Sequence, residues 1–109
     1  MTPVRTRAQA NIELDEALSD CTEALRLSPR ASDAYDSRGL VYIRLNQPAR
    51  AVADYDAALA IEKFASSYYG RGLAKRMLGD EAGAEADIAA ALKLSASVEN
   101  EYREMGLAP

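Results

Sequence analysis

The chain repeats itself, and the length of the repeat decides most of what it can become. Displaced by 33 residues, SRGL at Ser37 to Leu40 falls on GRGL at Gly70 to Leu73, Leu45 on Leu78, Ala51 on Ala84, Asp54 on Asp87, and AALAI at Ala57 to Ile61 on AALKL at Ala90 to Leu94. Displaced by 34 in the other direction, Asp15 to Leu27 lies under Ala49 to Ile61, so that Ala17 meets Ala51, Asp20 meets Asp54, Ala24 meets Ala58 and Leu25 meets Leu59. A partial copy therefore precedes two fuller ones. A period of this length belongs to stacked helical hairpins, because a single hairpin cannot bury its apolar face until a neighbour covers it.

Within each copy the periodicity is helical. Tyr35, Gly39 and Tyr42 share one face of a first helix, and Ala51, Tyr55, Ala58 and Leu59 one face of a second. Ser32 or Asp33 is the expected cap of the first helix, and Asn46-Gln47-Pro48 is its turn into the second, since proline is tolerated in a first helical turn. Gly79-Asp80 makes the corresponding turn in the next copy. No proline follows the second helix of the middle copy as Pro29 follows that of the first, which predicts that this helix runs on further. Met1 to Asn11 stands where the first helix of the first copy belongs, without the aromatic and the glycine, and reads as a degraded or frayed helix. Ser97 is the expected cap of a last helix in which Val98, Tyr102 and Met105 form an apolar stripe backed by acids, which suits the closing end of a stack.

A glycine inside a helix costs about 1 kcal/mol relative to alanine. Its recurrence at Gly39 and Gly72 predicts a close approach of the partner helix; neither site has the spacing of a phosphate-binding loop. Asp54 and Asp87 recur on second helices, and Arg38 and Arg71 recur one residue before each glycine, so structural ion pairs are expected rather than acid–base chemistry.

Composition excludes several functions. There is no histidine and one cysteine, which removes the usual zinc sets, a Cys-His pair and an intrachain disulfide. Cys21 aligns with the inward positions Tyr55 and Ile88 and reads as a buried core thiol. The net charge is −4 with no long basic run, which disfavours a grip on nucleic acid. No stretch is long and apolar enough for a membrane span, and no apolar segment precedes the Ala-Gln-Ala at Ala8 to Ala10, so a cytoplasmic, non-membrane protein is expected.

An aromatic at the fourth position (Tyr35, Tyr68), glycine at the eighth (Gly39, Gly72), alanine at the twentieth (Ala17, Ala51, Ala84) and twenty-seventh (Ala24, Ala58, Ala91), and Pro29 after the first copy together form a pattern that resembles the tetratricopeptide repeat. The resemblance covers roughly residues 12–96 and looks like that of a small bacterial-type member. It implies an all-α fold, a right-handed superhelical stack of antiparallel hairpins with a C-terminal capping helix. The whole chain, 1–109, is then one domain: a partial repeat at 1–29, repeats at 32–64 and 65–96, and the cap at 97–107.

The resemblance also implies a function. First helices of such repeats line a concave groove, and the residues so placed here include Asp36, Leu40, Ile43 and Arg44 in one copy and Tyr69, Leu73, Arg76 and Met77 in the next. They imply a protein or peptide partner held by apolar contact and by two arginines able to grip carboxylates or carbonyls. No catalytic residue, metal or cofactor is expected. The groove lysines and asparagines that similar proteins use for chaperone C-termini are absent, those positions being Asp36, Ser37, Leu40, Ser66 and Gly70. The alternative reading is a self-associating scaffold or homodimer, in which a second chain covers the face that the missing first helix leaves open on Asp15 to Leu27.

Overall fold

A computed structural model describes residues 7–107, and among them there are six helices and no strand. They are α1 (Arg7–Leu27), α2 (Ser32–Arg44), α3 (Pro48–Ile61), α4 (Ala65–Met77), α5 (Glu81–Leu94) and α6 (Val98–Glu104). Successive helices from α1 to α5 pack on one another, and α2 also packs directly on α4. That is an all-α stack of the hairpins α2–α3 and α4–α5, with α1 on one end.

The turns follow from local chemistry. Pro48 opens α3, where its missing donor costs nothing, and the Asp80 carboxylate accepts the Gly83 N–H at 2.9 Å to open α5. Asn46 (φ 58°) and Gly79 (φ 87°) end the two first helices in the left-handed conformation. Beyond each, the chain folds back: Gln47 N–H donates to the Tyr42 carbonyl at 2.8 Å and Asp80 N–H to that of Lys75 at 2.9 Å, satisfying carbonyls that the helix leaves free.

Three expected details differ. Ser32 lies inside α2 and is buried; Ala31 holds the cap position, its carbonyl accepting from Ala34 and Tyr35, while the Asp33 carboxylate reaches only the adjacent Ala34 N–H at 3.0 Å. Ser97 does precede α6, but its backbone is already near-helical (φ −83°, ψ −9°), the wrong conformation for a side-chain cap, and its hydroxyl meets that of Ser95 at 3.1 Å. The second helix of the middle copy does not run on: α3 stops at Ile61, because Glu62 (φ −144°, ψ 142°) and Phe64 (φ −91°, ψ 146°) are extended and turn the chain into α4.

At the N-terminal end α1 is one continuous helix of 21 residues, without a hairpin. Its sequence from Arg7 to Leu27 contains no glycine or proline at which to turn, so Arg7 to Asn11 extend the second helix of the partial copy and supply no first one. Residues 1–6 of the expected degraded helix lie outside the described residues. Leu14, Ala17, Leu18 and Cys21 are only half-buried, Ile12 is exposed, and among the described side chains of α1 Leu25 alone is buried. Cys21 is therefore not the buried core thiol expected, although the burial it has pushes its pKa up, away from thiolate reactivity.

The glycines act as anticipated, with one addition. Tyr55 of α3 is fully buried, its ring lying where side chains on α2 and α4 would otherwise stand. A Cβ built on Gly39 would come within 2.8 Å of that ring, and one on Gly70 would overlap its Cζ and hydroxyl. Gly72 likewise would place a Cβ 2.9 Å from Ile88 on α5.

Two matching ion pairs bind the hairpins. Arg38 Nε and Nη2 each reach Asp54 at 2.8 Å, and Arg71 makes the same bidentate pair with Asp87 at 2.8 Å. Each arginine also lies over the tyrosine three residues before it, 5.8 Å from the Tyr35 ring and 5.6 Å from Tyr68. Lys75, which replaces Tyr42 in the later copy, adds a third cationic contact to Asp87 at 3.0 Å.

Candidate binding face

The residues placed by spacing on the open side of α2 and α4 are for the most part already engaged. Asp36 is a tie between helices: its Oδ2 accepts from the hydroxyls of Ser66 at 3.0 Å and Ser67 at 2.6 Å, fixing α2 to the first turn of α4. Ile43, Tyr69 and Leu73 are buried, and Leu40 is half-buried against the same cluster. Arg76 forms an exposed pair with Glu81 at 3.1 Å, and Met77 is exposed. An open trough lined by all eight is not what these contacts describe.

The chain's own C-terminal helix, α6, packs on α4 and α5 and occupies the α4 side of this face. Val98 and Tyr102 of α6 are 1% and 2% exposed and belong to one apolar cluster with Ile43, Tyr55, Tyr69 and Leu73. The Tyr102 ring lies 4.7 Å from that of Tyr69 at 37°, a tilted aromatic contact, and its hydroxyl donates to the backbone carbonyl of Ser66 at 2.6 Å. At the other end, Arg44 of α2 donates to the Met105 carbonyl at 3.1 Å, one of the acceptors that the end of α6 leaves free. Met105, expected in the apolar stripe, is past the helix end and 38% exposed; Leu107 packs on the cluster instead.

The local sequence explains this arrangement. Glu99 and Glu101 occupy the first turn of α6, where the helix dipole favours acids. Gly106 (φ 80°) ends it as Asn46 and Gly79 end α2 and α4, with Gly106 N–H on the Arg103 carbonyl at 2.9 Å and Leu107 N–H on that of Tyr102 at 2.9 Å. In the repeat frame α6 starts where another first helix would start, yet it has 7 residues where α2 and α4 have 13. Tyr102 then follows Asp36 and Tyr69 at the same 33-residue interval, which was the available signal that it belongs with the face residues.

The electrostatics keep this seat neutral. Burial, with the Asp36 carboxylate nearby, raises the Tyr102 pKa above its usual 10, so the phenol remains a donor. Burial pushes Tyr55 and Tyr69 up as well. Among the described residues no group of three metal-ligating side chains converges, and no helix is long and apolar enough to cross a membrane.

Comparison with known proteins agrees with this geometry. Residues 32–64, the hairpin α2–α3, match the family model described as tetratricopeptide repeat. A FAM10 family protein of Arabidopsis thaliana is 43% identical over 47 residues, which cover 43% of this chain and 11% of that protein. The chain thus matches only a small fraction of that relative's length. The hairpin α2–α3 is thus a tetratricopeptide repeat, and α4–α5 repeats it down to the glycine, the ion pair and the helix stop.

Proposed function

We propose that the protein is a non-enzymatic binding module that takes a segment of another protein on the face formed by α2 and α4. Tetratricopeptide repeats generally mediate protein–protein interaction, and that much follows from the family. The observation that carries the finer reading is α6 itself: a short peptide segment seated across the face through an aromatic anchor, a backbone hydrogen bond and an arginine at its end. Leu40 and Met77 supply further apolar surface and Arg76 a cation on the same helices.

The experiment is partner capture with an Arg76→Glu/Met77→Asp double variant, which alters a half-buried arginine and an exposed methionine that lie outside the cluster. Captured protein is expected to fall roughly tenfold or more, the size of a lost central contact. Undiminished capture would contradict the reading. If it fell instead in an Ile12→Asp variant of the exposed end of α1, together with a drop in sedimentation mass, the self-associating alternative would replace it.

A further inference from the structure

We infer that the partner segment is itself a short helix anchored by a tyrosine, with an aliphatic residue four positions before it and its C-terminal end toward Arg44, and that α6 must leave the seat for it to enter. This rests on the proposed function and specifies its partner.

The pocket is built for a phenol. Tyr102 meets an aromatic wall in Tyr69 and a carbonyl acceptor in Ser66, and it is 2% exposed. A phenylalanine would fill the same space and leave the Ser66 carbonyl unpaired, and sites of that kind discriminate strongly against the analogue lacking the hydroxyl. Val98 fixes the second anchor one helical turn earlier, and Arg44 on the Met105 carbonyl fixes the direction.

α6 is also a weak occupant. A helix of 7 residues has no stability of its own, so its order depends on this seat. It stops well short of the length of α2 and α4, and Met77 and Met105 stay 43% and 38% exposed. A longer partner helix can cover what α6 leaves open and so displace it.

The test is binding of a labelled peptide, ASVENEYREMGL (residues 96–107), to full-length chains that remain helical by circular dichroism. A Tyr102→Ala chain, whose own anchor is gone, is expected to bind it at least roughly tenfold more tightly than the unaltered chain, in which α6 competes. A peptide with phenylalanine for the tyrosine is expected to bind roughly tenfold more weakly. Should Tyr102→Ala fail to fold, the Val98→Ala chain serves the same purpose. Equal binding to altered and unaltered chains, no binding to a folded altered chain, or equal binding of the two peptides would each overturn the inference. Failure of the peptide while Arg76→Glu/Met77→Asp still abolishes partner capture would leave the proposed function standing without it.

Discussion

The most sharply determined residue is Tyr55, held between Gly39 and Gly70 and unable to retreat from either. Alanine at an ordinary helix-interior glycine gains about 1 kcal/mol from propensity. Here Gly39→Ala and Gly70→Ala are both expected to destabilise by about 1–3 kcal/mol in urea unfolding, the range for forced overpacking. Adding Tyr55→Leu to Gly70→Ala should recover some of that loss in a double-mutant cycle, and strict additivity would show that the ring is not the obstacle. Gly39 was legible because it recurs at Gly72; Gly70 was not, since its counterpart Ser37 is exposed and no period marks a site where one ring touches two helices. The paired arginines were legible for the same reason that Gly39 was. Burial works against the Asp87 charge, but hydrogen bonds from Arg71 and Lys75 outweigh it and hold its pKa below the usual 3.8. A depressed carboxyl stabilises the fold above its unfolded pKa and loses that contribution as pH falls through the folded one. Unfolding free energy should therefore decline on acidification below pH 3.8, and Arg71→Met should flatten that decline while costing about 1.5–3 kcal/mol at neutral pH. An unchanged acid profile in the variant would remove Asp87 from the explanation.

At the scale of elements, the hairpins from α2 to α5 could be placed from turn chemistry, since Asn46, Pro48, Gly79 and Asp80 leave the backbone few alternatives. α1 misled for want of such a residue: the repeat frame asks for a turn before Asp15, and nothing between Arg7 and Leu27 can make one. The position of α6 was hidden more deeply. Its apolar spacing was evident, and α6 packs on α4 and α5 as a closing helix does; what the stripe does not show is the reach of its C-terminal end toward α2, where Arg44 meets the Met105 carbonyl. Because α6 is short and held by few side chains, its amides are expected to exchange with solvent well before those of α4, which is covered by α2, α3 and α5. Equal protection of the two helices in native-state hydrogen exchange would show that α6 opens only with the whole fold.

Taken as a whole, the molecule is a short stack with two unlike ends. At one end α1 is half-buried, with no first helix beside it among the described residues; at the other, a short helix packs on α4 and α5 beside the face on which segments of other proteins are proposed to bind. Stability in such a stack is a sum of neighbour contacts, and α6 adds to it by burying Val98 and Tyr102 in the main cluster. Nuclear Overhauser contacts of the Tyr102 ring in the full-length protein test that placement most directly. Cross-peaks from Tyr102 to the Tyr69 ring and to Ser66 are predicted. A Tyr102 ring with solvent-like shifts and no contact to α4 would mean that the face stands open and that α6 is not its occupant.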